Sequence, residues 1–274
     1  MNKQIAVIVE GVKREKGYWN SIEKVYFAGT SLKIVPLSAN GNLYMIWQQI
    51  QEDDNETDII EVIRELSSTG RAALEGYKRD DFQEVYLFFD YDPQQKNLGL
   101  NEEDMAAILE QMVQTFNNET ENGKLYISYP MSEALRDTDG ISCVPLTACL
   151  ISRDQLARYK QNSAVAGMFT DPRKYDLKIW NLFISVFLKR CLCLFKQENS
   201  EESILSWFKS SVNNLTILEK ENALYQTYQK VFVLSAFPEF ILDYFPPEHF
   251  DQVSTFLRAI SEKECNEKNF MLKV

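Results

Sequence analysis

Gln4-Ile5-Ala6-Val7-Ile8-Val9-Glu10-Gly11 is the stretch on which the fold turns. An apolar run this short and this continuous reads as a strand buried on both faces, as in a parallel sheet covered by helices. A carboxylate follows the run directly. Gly11 removes a Cβ where the backbone must turn from strand to helix and where a substrate can approach. Residues 12–27 then carry Tyr18, Trp19, Ile22, Val25 and Tyr26 at three-to-four spacing, the period of a helix packed on one face.

Moving outward, residues 32–37, 84–89 and 124–129 read as further strands, the last ended by Pro130. Residues 42–50, 58–77 and 102–116 read as helices, the third capped by Asn101 with acidic residues in its first turn. Such alternation predicts an α/β domain over 1–146 with a parallel sheet flanked by helices. After Leu146 the period-two signal fades. Residues 147–274 are expected to form an α-helical domain, with helices over 176–196, 201–212 (capped by Ser200), 218–237 and 249–262.

Composition narrows the chemistry. The chain has 274 residues, only 10 glycines and 8 prolines, and a 45% hydrophobic, 25% charged make-up, which excludes an intrinsically disordered chain and favours long helices over a turn-rich all-β fold. Net charge is −11, but residues 1–150 hold 13 Lys/Arg against 25 Asp/Glu, whereas 151–200 hold 9 against 4. An acidic protein is a poor non-specific nucleic-acid binder, so any such contact is expected on the middle segment. There Arg153, Arg158, Tyr159, Lys160, Arg173, Lys174, Tyr175 and Lys178 read either as a strand- or tRNA-binding surface or as buried aromatics beside a solvated basic face. Five cysteines without a CxxC pair fit a reducing, cytoplasmic protein. Cys191 and Cys193 are expected as buried thiols. No apolar run approaches the ~20 residues of a membrane span. A single histidine, His249, removes catalytic triads and multi-histidine zinc sites, leaving carboxylates, lysines, hydroxyls or a bound metal to carry any catalysis.

Three acidic features follow apolar strands: Glu10, then Asp90-Tyr91-Asp92, then Glu133 in Tyr129-Pro130-Met131-Ser132-Glu133. In an open α/β sheet, ligands bind outside the carboxyl ends of the strands. Carboxylates from separate strands at one edge are what a Mg²⁺ site uses, and phosphoryl transfer is the chemistry that follows. Asp90 and Asp92, one residue apart in extended chain, point the same way. Lys13, Arg14, Lys16 and Arg136 stand close in sequence to these acids and are candidate contacts to substrate phosphates. Taken singly, each of these residues also reads as a helix cap or a solvated surface charge.

Ile8-Val9-Glu10-Gly11-Val12-Lys13-Arg14-Glu15, Phe88-Phe89-Asp90-Tyr91-Asp92 and Tyr129-Pro130-Met131-Ser132-Glu133 together resemble the TOPRIM domain over about 1–140. Small TOPRIM nucleases of phage defence are the nearest comparison: OLD-family, RloB-like and abortive-infection proteins, and the effector of the PARIS system. The resemblance implies that Glu10 is a metal ligand or general acid/base, that Asp90 and Asp92 ligate Mg²⁺ or Mn²⁺, that Glu133 completes this metal site or a second one, and that Glu15 is an accessory acid. It departs at Arg14, where some TOPRIM openings carry an acid, and in the longer helical insertion over 42–80. The implied activity is metal-dependent cleavage of DNA or RNA/tRNA by a toxic antiviral effector. The acidic first half adds the expectation of an ATPase sensor partner that restrains it or supplies nucleic-acid contacts, and assembly into a homo-oligomer is a further expectation. A TOPRIM-fold binding or assembly module without turnover is the alternative. A HAD-like phosphatase would need its nucleophilic Asp-x-Asp on the first strand, whereas here the pair lies on a later one.

Overall fold

The computed structural model describes residues 4–10, 13–28, 31–36, 43–52, 58–91, 102–138, 149–165, 169–196, 204–253, 255 and 257, with backbone only at 31, 36, 103, 164 and 165. Two compact units make up the chain, Met1–Ile127 with Asp171–Tyr175, and Ser128–Thr170 with Asp176–Val274. The expected division at 146/147 falls within 139–148, outside the described residues.

The first unit is an α/β layer structure. Its strands are β1 (Gln4–Val9), β2 (Ser31–Pro36), β3 (Glu84–Asp90), β4 (Asn117–Asn118) and β5 (Gly123–Ser128), in spatial order β2-β1-β3-β5-β4. β1 runs parallel to both neighbours, with Val9 opposite Pro36 and Phe88. Ile5 through Val9 are completely buried, which is why the run is apolar at every position rather than at alternate ones. The sheet is mostly parallel, and the two-residue β4 pairs antiparallel with β5.

Helix α1 (Arg14–Tyr26) buries Tyr18, Trp19 and Ile22, the stripe read from the sequence. Trp19 meets Phe88 of β3 edge-on at 4.8 Å. Asp171–Tyr175 joins the same face of the unit: Tyr175 stacks on Tyr18 with ring centroids 6.1 Å apart. A Cβ on Gly17 would stand 3.3 Å from Pro172 Cγ. The helical insertion consists of α2 (Leu43–Glu52), α3 (Ile59–Leu66) and α4 (Ser68–Ala73). The single helix expected over 58–77 is interrupted because Ser67 takes an extended conformation (φ −128°, ψ 115°). Its N–H closes α3 on the Ile63 carbonyl, while its hydroxyl accepts from Gly70 N–H at 2.9 Å and starts α4. A serine offers that local alternative to a continuing helix. Glycine is required at 70, since a Cβ there would lie 2.7 Å from Ile63 Cγ2. α5 (Glu102–Thr115) follows; its expected cap Asn101 is outside the described residues.

The second unit holds α6 (Arg153–Val165), α7 (Leu177–Phe195), α8 (Ile204–Ser211), α9 (Asn214–Tyr228) and α10 (Ala236–Tyr244). It also holds an antiparallel pair, β6 (Leu150–Ser152) with β7 (Lys230–Phe232), so the expectation of helices alone is corrected. The helix expected over 218–237 ends at Gln229, whose left-handed conformation (φ 54°, ψ 42°) caps α9. Lys-Val-Phe then pairs as a strand, and Ser235 starts α10 by accepting from Phe237 N–H. β-branched and aromatic residues in so short a segment suit a pleated surface better than a helix. α7 is the central helix, packing against α8 and α10. Asp176 caps it by accepting from Ile179 N–H at 2.9 Å. Its apolar residues form edge-to-face pairs, Trp180 with Phe183 at 5.5 Å and Phe187 with Phe208 at 5.5 Å. Among the described residues no helix is long and apolar enough to cross a membrane.

Candidate functional site

β1 and β3 are hydrogen-bonded neighbours running the same way, so their carboxyl ends share one edge of the sheet. Glu10 follows β1 and Asp90 closes β3, and both side chains are half-buried. Glu10 N–H extends the ladder to the Phe88 carbonyl at 3.3 Å. Its carboxylate then turns to the neighbouring strand, where Oε2 accepts from Asp90 N–H at 3.2 Å. That bond brings two of the sequence-predicted acids together across 80 residues of chain. Their neighbours along the chain, Val9, Phe88, Phe89 and Tyr91, are buried. Asp92 and Gly11 lie outside the described residues.

α1 begins at Arg14. Its N-cap, Lys13, makes no side-chain cap. Lys13 and Lys16 are exposed, while Arg14 and Glu15 are half-buried. Glu15 stands in the first turn, where the helix dipole favours a carboxylate.

Glu133 belongs to the second unit, on the 3-10 turn Ser132–Arg136. It is 1% exposed. Oε2 accepts from the Ser132 hydroxyl at 3.3 Å, and Lys160 Nζ lies 3.5 Å from Oε1. Arg136, expected to reach substrate phosphates, is 6% exposed. Its Nη2 donates to Ser163 Oγ at 3.2 Å and to the Lys160 carbonyl at 3.5 Å, so a phosphate contact would have to replace these bonds.

Sequence reasoning missed a buried ionic group in the second unit. Tyr159 donates its hydroxyl to Asp137 Oδ2 at 2.7 Å. Arg190 Nη2 lies 3.6 Å from Asp137 Oδ1, and its Nη1 donates to the Val233 carbonyl at 3.1 Å. Burial, then Asp137, pushes the Tyr159 hydroxyl well above its ordinary range. Glu221 is fully buried and accepts from Phe232 N–H at 2.9 Å; desolvation pushes its carboxyl well up. The one signal for this group was Lys189-Arg190 closing an apolar run. Arg190 proves to be 2% exposed inside α7 rather than at a polar end.

Tyr159 and Tyr175 are 3% and 1% exposed, so the basic–aromatic stretch offers cations without stacking faces. Arg173 is paired with Asp171 at 2.8 Å and Arg153 with Gln229 Oε1 at 2.7 Å. Cys149 and Cys191 are buried free thiols and Cys193 is half-buried. His249 rests its ring on Phe245 at 5.2 Å, a packing role. Among the described residues no group of three or more His, Cys, Asp or Glu side chains is arranged to hold a metal ion. No family model, curated protein or solved structure matches the chain.

Proposed function

We propose that the chain is a divalent-metal-dependent nuclease built on a TOPRIM-like sheet, acting in the cytoplasm as a toxic effector of antiviral or abortive-infection defence. The observation that carries this reading is the bond from Asp90 N–H to Glu10 Oε2 at 3.2 Å, which ties the Glu10 carboxylate to the backbone of the neighbouring parallel strand end, where Asp90 stands. The donor set fits Mg²⁺ or Mn²⁺: hard oxygens, few in number, leaving room for water and substrate phosphates. Glu10 and Asp90 would hold the ion, with Asp92 as a third oxygen donor. A bound divalent ion supplies charge neutralisation at a scissile phosphate and eases ionisation of a water. The protein's part is then positional. The Asp90 amide fixes the Glu10 carboxylate at the sheet edge. Lys13 and Lys16, exposed on the first turns of α1, are the cations this unit offers to phosphate oxygens.

A metal-titrated cleavage assay on plasmid, single-stranded DNA and tRNA, beside Glu10→Gln, tests the proposal. The expected result is Mg²⁺- or Mn²⁺-dependent cleavage that the variant loses by more than the ~10–100-fold typical of outer-shell changes. Equal cleavage by the variant, or none by the parent chain on all three substrates, refutes it. The second outcome leaves the binding or assembly module, a reading for which Glu10 is a strut tying the ends of β1 and β3 together.

A further inference from the structure

Away from the strand ends, the first unit has an open cleft of about 640 Å³ whose walls include Arg64, Ser68, Arg71, Glu75, Tyr77 and Lys78. That volume is in the range of small-molecule sites, ~300–1,000 Å³. Three cations face one carboxylate, in a half of the chain that holds 25 acidic residues against 13 basic ones. Since Arg64 is neutralised by Glu61, Arg71 and Lys78 are left against Glu75 on these walls, a local excess of cations that favours anions.

The three cations are differently placed. Arg64 is committed: Nη1 pairs with Glu61 at 2.9 and 3.1 Å, and Nη2 reaches the Leu74 carbonyl at 3.4 Å. Arg71 is oriented instead. Its Nε donates to the Arg64 carbonyl at 2.9 Å, which sets the guanidinium plane and leaves both terminal nitrogens with no hydrogen bond among the described residues. Lys78 is exposed, and its ammonium has no carboxylate partner among the described residues. A pre-oriented guanidinium fork beside a mobile ammonium is the donor set that suits a phosphate group. Tyr77 does not offer a free ring face for a base. One contact is Phe82, stacked at 5.5 Å, and Lys33 Nζ stands 4.5 Å from the ring centroid. The cleft thus reads charge rather than an aromatic ring.

We propose that this cleft is a metal-independent binding site for a phosphate monoester, held by the Arg71 fork and the Lys78 ammonium, with the Ser68 hydroxyl on its wall. The ester arrives either as a small free molecule or as the terminal phosphate of a nucleic-acid strand. The site is independent of the strand-end acids and does not need them to be catalytic.

Calorimetric titration of the full chain in EDTA separates the cases, using ribose 5-phosphate and one short oligonucleotide with either a 5′-phosphate or a 5′-hydroxyl. Saturable binding of ribose 5-phosphate identifies the free ester. Binding of the phosphorylated oligonucleotide alone identifies the strand terminus. In either case Arg71→Ala with Lys78→Ala weakens binding at least about tenfold, and Arg71→Lys, which keeps charge but loses the fork, weakens it less. Lys220→Ala, at an exposed cation of the second unit, leaves it unchanged. Both cleft residues are exposed, so the double variant is expected to keep its circular dichroism. The proposal is overturned by no binding of any probe, by equal binding of the 5′-hydroxyl strand, or by a double variant that binds like the parent or no worse than Lys220→Ala.

Discussion

Glu221→Gln tests whether a buried acid in the second unit keeps its proton. Glu221 is 0% exposed on α9, and one oxygen accepts from Phe232 N–H at 2.9 Å. The other oxygen has no hydrogen-bond partner among the described residues. Desolvation therefore pushes the folded carboxyl well above its ordinary 4.5, against the smaller opposing pull of the Phe232 amide. The sign follows from proton counting. Above pH 4.5 the unfolded chain has released this proton and the folded chain still holds it. Stability must then fall as pH rises, by up to ~1.4 kcal/mol per pH unit, until the folded carboxyl itself ionises. Glutamine does not titrate. It keeps the acceptor for Phe232 and places an unmatched amide N–H₂ where the second oxygen was, a pH-independent cost of about 1–3 kcal/mol. Urea unfolding followed by circular dichroism at half-unit steps from pH 5 to 8 should show the parent ahead at the acid end. The gap should narrow as pH rises, at a slope approaching ~1.4 kcal/mol per unit. A difference between the two proteins that stays constant over this range would refute the reasoning, because Glu221 would then hold the same charge folded and unfolded.

Other outcomes follow from single contacts. Gly123→Ala should destabilise the first unit by ~1–3 kcal/mol in chemical denaturation, because the position has φ +99° and its Cβ would stand 2.7 Å from Leu87 Cδ1. Asp176→Ala removes the acceptor for Ile179 N–H at the start of α7 and should cost ~1 kcal/mol, with Asp176→Asn recovering most of it. Asp90→Asn should abolish any rise in thermal midpoint that Mg²⁺ or Mn²⁺ produces over the same protein's metal-free midpoint; retention of the metal-induced rise would remove Asp90 from the proposed ion site.

The strands and the long helices of the first half were legible because their residues are buried in patterns that sequence records directly. Five consecutive fully buried positions in β1 read as five consecutive apolar residues. α7 was legible to within a residue at each end because Asp176 and the left-handed Lys196 punctuate it. The breaks were hidden where one residue changes conformation inside a helical pattern. Ser67 and Gln229 do this, and neither is glycine or proline. β6 and β7 were hidden for a related reason: each is three residues long and is defined by its partner rather than by its own period. In the candidate site, alternation of strands and helices put Glu10 and Asp90 at one edge of a parallel sheet, but the strand order that makes β1 and β3 neighbours was not readable. The burial of Glu133 and Arg136 was not readable, since it depends on Lys160 and Ser163 of α6, a helix whose polar sequence carries no sign of what it covers. Arg71 and Lys78 gave no signal either, because α4 stops between them and only the folded turn brings them to one wall.

The five residues Asp171–Tyr175 complete the first unit from far down the chain, with Tyr175 closing over Tyr18 and Pro172 seated at Gly17. During synthesis, α1 therefore waits with an open aromatic flank while more than a hundred later positions are added. A fragment cut at Ile127 would keep every strand of β1 to β3 and still lack this cover. Any dissection of the protein into separately expressed halves should carry that short return segment with the amino-terminal piece, or supply it as a peptide.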